Sequence, residues 1–385
     1  MVRRPCLLIL TRDWSIGGAE RQVVELLKVI DKRSIDICAA TFYGTGPLRR
    51  ELQGLPGVRL WNLRKRGRWD VVPFLLRAVR LARRVRPDVI HGYQGFPNLL
   101  TLILGWVTGA RTVWGMRASN MDMRRYDWLR RIEAALETLC ARAADLIIVN
   151  SEAGRRYHVA RGFPEERTIM IPNGIDVERF RPDAKARTRM RWAWGVGGSD
   201  RLIGLICRLD PMKDHATFLA AAKLLADERP EVRFICVGDG PSEYASGLHA
   251  LAARLGLERR VFWKPQTDEI APVYAALDVL TSTSRYGEGF PNVVAEAMAT
   301  GVPCVVTDVG DSAFIVGDTG IVVPVGHPQA LAAAWRRLLD EQTGPRPLPR
   351  EDARERIVRL FGLEALGTRT LTAISELMSD RRSVQ

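Results

Sequence analysis

The amino-acid sequence predicts an α/β protein made of two Rossmann-like, doubly wound domains. Three observations support this prediction: the chain has 385 residues, short apolar segments alternate with amphipathic ones, and the alternation stops and restarts once. A single hydrophobic core rarely grows beyond about 250–300 residues, so a chain of this length is expected to form two domains. Strands that alternate with helices form βαβ units and a parallel sheet.

The first domain is predicted over residues 1–178. Its first strand is CLLIL (6–10), and an amphipathic helix near 19–30 follows. The next elements are strands at 35–41 and 58–63, a helix at 73–85, a strand at 88–92, a buried helix near 97–107, a strand at 111–116, a helix at 127–143 and a strand at 145–150. Their order predicts a parallel sheet covered by helices.

The second domain is predicted over residues 179–362, after the turn-rich segment IPNGIDVERFRPD (171–183). We expect strands at 201–207, 232–238, 260–264, 278–283, 303–308 and 319–324, with helices at 215–228, 242–255, 269–276, 292–299, 328–341 and 351–359. A last helix is expected after this domain, at 363–378. The carboxyl ends of two such sheets are expected to face each other across a central cleft, where ligands of doubly wound folds bind.

Charge is distributed unevenly along the chain. The net charge is +13, yet residues 1–190 hold 35 Lys and Arg against 19 Asp and Glu, and the remaining residues hold 22 against 25. A one-sided basic excess suits nucleic acid, an anionic membrane surface or acidic substrates. Apolar residues make up 46% and charged residues 26%, which excludes a disordered or fibrous chain.

The sequence indicates a cytoplasmic protein. The apolar run at the N-terminus is too short for a secretory signal, and the longest other apolar stretch, residues 99–110, is shorter than the ~20 residues that a membrane span needs. The six cysteines never approach a Cys-x-x-Cys spacing and mostly lie in apolar runs. They are expected to be core thiols in a reducing compartment and to form no metal site.

The most informative motif is RYGEGFPNVVAEAMATGVPCVVTDVGD (285–311). Glu288 lies in a glycine-bearing loop after a predicted strand, and Glu296 falls in the first turns of the next helix. The amides of Gly289 and Phe290 and the helix dipole favour a phosphate at this helix N-terminus. Because two carboxylates would repel that anion, their expected partners are the hydroxyls of a sugar and a ribose. The alternative is that both carboxylates are solvated surface groups.

Two other strand-to-helix turns have candidate ligand-binding residues. In LIGLICRLDPMKDHATFLAAAKLL, Arg208 follows the strand and Lys213 precedes a helix that Asp214 could cap. An Arg fork and a mobile Lys charge suit a pyrophosphate, although such a pair alone is more often found on the surface. In WSIGGAERQVV, Gly17 and Gly18 would let the backbone approach a ligand, although a tight turn needs glycine equally often.

These motifs resemble those of the retaining glycosyltransferases of family 4, from Gly17 to about Gly320. Residues 288–296 match the family's Glu-x7-Glu signature, and residues 202–225 match its Gly-Arg-Leu…Lys element, except that Cys207 replaces the glycine. The resemblance implies the GT-B architecture. It also implies retaining transfer of a hexose-type sugar from a UDP- or GDP-sugar to a glycan or polyprenyl-diphosphate-linked acceptor in bacterial cell-surface polysaccharide assembly.

The resemblance also implies roles for individual residues. Glu288 would hold hydroxyls of the donor sugar and Glu296 the ribose, while Arg208 and Lys213 would bind the diphosphate and stabilise the leaving group. The other residues placed near the donor are Gly17, Gly18, Gly289, Phe290 and Asn292, and those placed on the acceptor side are Arg117, Ser119 and Asn120. In this fold the last helix crosses back onto the N-terminal domain, so residues 363–385 are expected to do so.

His91 is a further candidate, at the end of the predicted strand PDVIHGY. It could orient the acceptor or handle its proton. Many family members have His-x-His here and use the second histidine, whose place is taken by Tyr93. The sequence contains no Asp-x-Asp, so we expect no metal ion or other cofactor: Arg208, Lys213 and the helix amides would neutralise the departing charge.

Basic and aromatic residues are interleaved in the first half of the chain, as in helices that bind membrane surfaces. They are Arg64, Lys65, Arg66, Arg68, Trp69, the helix within residues 73–87, Arg124, Arg125, Trp128, Arg130 and Arg131. We expect peripheral attachment to the inner face of the plasma membrane, although solvated faces of packed helices would give the same pattern. The rival functions are a sugar-phosphate synthase or nucleotide-sugar epimerase on the same fold, and a nucleic-acid-binding protein, for which no reader motif is present.

Overall fold

The computed structural model describes residues 3–15, 17–117, 128–343 and 350–379, except for the side chains of residues 342, 343, 350 and 351. These residues form two compact units. Unit 1 comprises the chain up to Gly174 together with the residues from Leu363 onward, and unit 2 comprises Ile175–Gly362. The sequence placed the boundary at 178/179. The observed boundary lies four residues earlier, between Gly174 and Ile175. The reason is that the Ile175 amide donates to the carbonyl oxygen of Phe361, a residue of unit 2, at 2.7 Å.

Unit 1 contains, among its described residues, one parallel sheet of seven strands. The strands are β1 (Cys6–Thr11), β2 (Asp36–Thr41), β3 (Val58–Asn62), β4 (Val89–Tyr93), β5 (Arg111–Met116), β6 (Leu146–Val149) and β7 (Thr168–Met170). They pair in the order β3-β2-β1-β4-β5-β6-β7. The order reverses between β1 and β4, which is where doubly wound sheets bind ligands.

Helices connect these strands. They are α1 (Gly18–Val29), α2 (Arg49–Leu52), α3 (Val71–Val85), α4 (Phe96–Thr108), α5 (Trp128–Cys140) and α6 (Glu152–Ala160). The prediction of a buried helix at 97–107 is wrong for the outer side of α4, because Trp106 there is 89% exposed. The inner side packs in a core with α3 and the strands.

Unit 2 has a six-stranded parallel sheet in the part of the chain described. Its strands are β8 (Arg201–Ile206), β9 (Val232–Val237), β10 (Val261–Lys264), β11 (Val279–Ser282), β12 (Cys304–Thr307) and β13 (Ile321–Val323). They pair in the order β10-β9-β8-β11-β12-β13, so the order reverses between β8 and β11. This switch point positions the candidate site.

The helices of unit 2 cover both faces of this sheet and include two that the sequence did not predict, at 184–193 and 312–316. They are α7 (Ala184–Ala193), α8 (His215–Glu228), α9 (Ser242–Arg254), α10 (Ile270–Ala276), α11 (Asn292–Ala299), α12 (Ser312–Val316), α13 (Pro328–Thr343) and α14 (Arg350–Phe361). The polar helix α7 was missed because buried ion pairs attach it: Arg187 and Arg191 bind the buried carboxylate of Asp278 at 2.7 and 3.0 Å.

The C-terminal helix α15 (Leu363–Ser379) belongs to unit 1. It packs on α1, where Leu366 and Ile374 join the same core as Val23 and Leu27. The approach is close: a Cβ at Gly367 would lie 3.1 Å from a methyl carbon of Val29. No described helix is long and apolar enough to cross a bilayer.

Candidate active site

Two cations lie in the loop that follows β8. Asp210 begins a short 3-10 turn ending at Lys213 and accepts a hydrogen bond from the amide two residues on, at 2.9 Å. Asp214 has a left-handed backbone with φ of 49° and caps α8, as predicted, by accepting from the amide three residues on. Lys213 is thereby fixed between two caps. The side chain of Arg208, in contrast, is 70% exposed.

Lys213 and Glu288 form a buried ion pair. The Lys213 Nζ donates to Glu288 Oε1, and the Ser284 hydroxyl donates to the same oxygen at 2.6 Å. The two charged side chains are only 15% and 10% exposed. Burial alone would lower the pKa of Lys213 and raise that of Glu288, but the opposite partner charge outweighs it, so the pKa of Lys213 is raised and that of Glu288 lowered. Both groups are therefore charged at neutral pH.

Glycines shape the loop between β11 and α11. Gly287 has φ of 78°, and a Cβ there would lie 2.5 Å from the sulfur of Met212. Gly310, with φ of 64°, packs against the same loop so closely that an added Cβ would lie 2.6 Å from the carbonyl oxygen of Gly289. The Arg285 amide donates to the Met212 carbonyl at 2.8 Å. The loop is thus held against the 3-10 turn that ends at Lys213.

Glu296 lies in the second turn of α11, the helix that begins at Asn292. The Tyr274 hydroxyl donates to Glu296 Oε2 at 2.7 Å. Burial, with the charge of Glu296, raises the pKa of Tyr274 well above its usual value, so the phenol keeps its proton. The ring of Phe290 is buried against Phe361, at 5.2 Å between centroids. Any contact of Phe290 with a ligand therefore involves its backbone.

Adjacent strands bring the predicted donor residues of unit 2 together. β8 pairs directly with β11, so the loops that carry Arg208, Lys213 and Glu288 leave the same edge of the sheet. Glu296 follows on the helix after the second loop. Sequence reasoning missed Ser284 and Tyr274. A polar residue four positions before Glu288 was a weak signal for Ser284, whereas nothing local identifies Tyr274.

Cys207, directly after β8, lies beside a buried histidine. Its sulfur is 3.6 Å from Nε2 of His215. Burial and then the charge of Lys213 lower the pKa of His215 to about 4, so this ring is neutral at physiological pH. His215 is completely buried.

In unit 1, Gly17 and Gly18 lie at the start of α1. Gly17 is the N-cap, and its Cβ would lie 2.3 Å from a carboxylate oxygen of Glu20. Burial raises the pKa of this carboxyl group. Glycine is therefore needed at position 17 for a local structural reason, because the Glu20 side chain approaches it closely. Gly18 is exposed.

His91 lies in β4 with its side chain completely buried. Its ring packs on Tyr93, with centroids 4.4 Å apart, and the Arg117 guanidinium lies over the Tyr93 ring at 5.1 Å. Arg117 also donates to Asn173 Oδ1 at 2.9 Å. Neither ring nitrogen of His91 has a hydrogen-bond partner within the described residues. The other predicted acceptor-side residues, Ser119 and Asn120, lie outside the described residues.

We expect His91 to make stability depend on pH. Burial and the charge of Arg117 lower its pKa to about 3 from the 6.5 of an exposed histidine. Between these values the unfolded chain binds a proton that the folded chain does not, so stability falls as pH drops below 6.5. At one pH unit below 6.5, the free energy of unfolding is lower by about 1.4 kcal/mol.

The measurement is the thermal unfolding of the wild type and of His91→Gln at pH 7.5 and 5.5. His91→Gln is expected to reduce the difference between the two midpoints, whatever its effect at pH 7.5. His249→Gln, which replaces an exposed histidine of α9, is the control and should leave the difference unchanged. An unchanged difference in His91→Gln would show that folding does not lower the pKa of His91.

Residues 16–179 match the family described as Glycosyltransferase Family 4, and residues 200–341 match that described as Glycosyl transferases group 1. The D-inositol 3-phosphate glycosyltransferase of Streptomyces scabiei is 34% identical in an alignment that covers 95% of this chain and 88% of that protein. The chain belongs to glycosyltransferase family 4. This confirms the resemblance seen in the sequence motifs.

Other similarities agree with this assignment. The putative glycosyltransferase EpsF of Bacillus subtilis is 26% identical to this glycosyltransferase over 76% of each chain. The crystal structure of Anabaena HepE in complex with UDP-glucose matches with a TM-score of 0.83 at 22% identity, covering 96% of this chain and 99% of that one. Sucrose-phosphate synthase from Thermosynechococcus elongatus matches with a TM-score of 0.79 at 21% identity, over 98% and 100%. The predicted GT-B fold is confirmed.

Proposed function

We propose that this glycosyltransferase moves a hexose-type sugar from a UDP- or GDP-sugar, with retention of anomeric configuration, to a glycan or lipid-linked sugar in cell-surface polysaccharide assembly. The observation that carries the proposal is the buried Lys213–Glu288 pair beside the exposed Arg208, at the carboxyl ends of β8 and β11. This edge is where a doubly wound sheet binds its ligand. We place the reaction on the cytoplasmic side of the membrane.

Arg208 and Lys213 would hold the donor diphosphate. When the bond between sugar and phosphate breaks, negative charge develops on the leaving nucleoside diphosphate, and fixed cations stabilise it most effectively in a site that excludes water. Lys213 is fixed and buried, while the exposed Arg208 is long enough to close over a bound ligand as a fork. The backbone amides at the start of α11 would add their dipole.

The two carboxylates would orient the sugar and the nucleoside. Ionised Glu288 accepts hydrogen bonds and suits sugar hydroxyls, and its contacts with Lys213 and Ser284 fix its position. Glu296 suits the ribose hydroxyls, with its orientation set by Tyr274. These contacts would hold the anomeric carbon in place while the leaving group departs and the acceptor attacks from the same face.

The acceptor would be bound by residues of unit 1. Arg117, held by Asn173 and packed on Tyr93, supplies a cation suited to an acceptor phosphate. The ring of His91 packs on Tyr93, on which Arg117 also packs, so we assign His91 a positioning role. Ser119 and Asn120 remain proposed acceptor contacts, and Gly17 and Gly18 remain proposed contacts near the donor.

A second candidate acceptor is a small phosphorylated polyol or sugar. It is favoured by one observation, the similarity to proteins named D-inositol 3-phosphate glycosyltransferase at 34% identity over nearly the whole chain. The cationic Arg117 fits a phosphate of either acceptor class. This candidate keeps the donor site and the retaining chemistry and changes only the acceptor.

A product assay tests the proposal. The full chain is incubated in EDTA with UDP-glucose or GDP-mannose and with either a polyprenyl-diphosphate-linked sugar or inositol 3-phosphate, and proton NMR reports the anomeric configuration of the product. We expect a retained configuration and undiminished turnover in EDTA. An inverted product, or activity that requires an added divalent ion, would contradict the proposed chemistry, and transfer to inositol 3-phosphate alone would favour the second acceptor.

A further inference from the structure

The outer side of α4 in unit 1 is apolar and exposed. The helix sequence FPNLLTLILGWVT contains no charged residue. Its inner side packs against the sheet, but Phe96, Ile103 and Trp106 are 41%, 44% and 89% exposed. They follow one another at helical spacing on one side. A helix that is apolar all round is normally covered on all sides, so the outer side of α4 indicates a missing partner.

Helix α5 beside it presents its apolar residues outward and its carboxylates inward. Glu137 Oε1 accepts from the Gly95 amide at 2.8 Å, and Glu133 Oε1 accepts from the Phe96 amide at 2.6 Å. The two carboxylates thereby satisfy amides at the start of α4. Burial raises the pKa of Glu137, which the bond donated by Asn98 opposes.

The opposite side of α5 faces outward as a consequence. Trp128, Ile132 and Leu139 are 65%, 45% and 78% exposed, at positions separated by four and seven residues. The orientation of the helix is also set by Arg161, which donates to Thr138 Oγ1 at 3.0 Å. When the apolar side of an amphipathic helix is exposed to solvent, that side is expected to contact a membrane or another protein.

Helix α3, on the other side of α4, continues the same pattern. Val72 and Leu76 are 66% and 49% exposed at the start of the helix. One and two turns further along the same side, Arg80 and Arg83 are exposed. Trp69, just before the helix, is 89% exposed. Exposed apolar residues together with cations suit a membrane interface, which offers both an apolar boundary and anionic headgroups.

The charge of these three helices decides the kind of partner. α3 and α4 contain no acidic residue, and the two carboxylates of α5, Glu133 and Glu137, are buried. Within these three described helices, the exposed side chains are therefore aromatic residues, aliphatic residues and, among the charged ones, cations alone. A second copy of the same face would bring cations against cations, which disfavours a two-fold dimer. An anionic lipid surface offers both an apolar phase and the opposite charge.

We propose that the outward side of α3, α4 and α5 is a membrane-docking face that binds bilayers containing anionic lipid. Trp106 and Leu139 enter the apolar boundary and Arg80 and Arg83 contact the headgroups. α4 begins directly after the strand that carries His91 and Tyr93, so docking holds the acceptor side of unit 1 near the membrane surface. The inference rests on the proposed function in one respect: it favours the lipid-linked acceptor.

Vesicle flotation tests this proposal. The full chain is mixed with phosphatidylcholine vesicles or with vesicles that also contain phosphatidylglycerol, at low and high salt. We expect binding only with phosphatidylglycerol and weaker binding at high salt. The double substitution W106Q/L139Q is expected to lower the partition coefficient at least about tenfold, and R80S/R83S to lower it while removing much of the salt dependence.

Matched controls lie on α7 of unit 2. Trp192 is 83% exposed and Arg189 is exposed, so W192Q and R189S make similar surface changes elsewhere and should leave binding unchanged. Absence of binding to phosphatidylglycerol vesicles would overturn the proposal, as would equal losses in W192Q and W106Q/L139Q. A dimer seen by sedimentation velocity, abolished by W106Q/L139Q and without vesicle binding, would identify the face as an interface between copies.

The donor function is measured separately on the same samples. Stabilisation by UDP-glucose or GDP-mannose reports the donor site of unit 2, and W106Q/L139Q should leave it unchanged because both residues belong to unit 1. If the wild type does not bind vesicles but is still stabilised by a nucleotide sugar, only the docking proposal is contradicted. Loss of both in the wild type would also remove the proposed function.

Discussion

Replacing Arg208 by alanine is expected to lower kcat by about 100- to 1,000-fold, the loss usually seen when one group that stabilises transition-state charge is removed. The physical reason is that the leaving diphosphate gains charge as the sugar departs, and the exposed Arg208 at this edge of the sheet could close over it. The same substitution should hardly change the thermal midpoint. Arg208 makes only a 3.9 Å contact with Asp210 among the ion pairs described, and such surface pairs contribute little to stability.

The measurement is steady-state transfer from a saturating donor, together with the unfolding midpoint. Arg254→Ala, at the exposed end of α9, is the matched control and should retain full activity. Arg208→Lys should recover part of the rate, because it restores the charge and not the planar fork. Full activity of Arg208→Ala would remove this residue from the leaving-group site.

Replacing Glu288 by glutamine is expected to reduce kcat/KM by about 100- to 10,000-fold, as is typical of groups that position or activate reacting atoms. Glutamine keeps the shape but removes the charge that sugar hydroxyls and Lys213 require. It also leaves the Lys213 ammonium buried without a counter-charge, which costs up to about 3–5 kcal/mol of folding stability. Activity and stability should therefore both fall.

A double substitution separates these two effects. K213M/E288Q replaces the buried pair by neutral groups and should recover most of the stability lost in the single variant, because no uncompensated charge remains. Transfer activity should stay at or below that of Glu288→Gln. If the double variant regained activity along with stability, the ion pair would be a structural element of the loop and not part of the reaction.

The regular elements of the fold were largely predictable because their hydrophobic periodicity is local. The predicted bounds of β5, α8 and α11 agree with Arg111–Met116, His215–Glu228 and Asn292–Ala299. Elements without such a pattern were missed. α7 is polar and is attached through ion pairs to Asp278, about ninety residues away, and β7 has three residues.

The donor residues of unit 2 were predictable from their place in strand-to-helix turns, where parallel strands of one sheet end at a common edge. Their partners were not, because Tyr274 and Glu296 meet through packing between α10 and α11 and share no sequence signal. The burial of His91 and the inward carboxylates of α5 were equally hidden. Glu133 and Glu137 read as ordinary solvated helix residues until their contacts with the start of α4 are known.

Binding of a nucleotide sugar to unit 2 is measured through the thermal midpoint of the full chain in EDTA. We predict that UDP-glucose or GDP-mannose stabilises the wild type by about 2.7 kcal/mol at a hundred times its Kd, and that Arg208→Ala and Glu288→Gln need much higher concentrations for the same shift. If both variants were stabilised as much as the wild type, or if no nucleotide sugar stabilised the wild type, unit 2 would not bind the donor through Arg208 and Glu288.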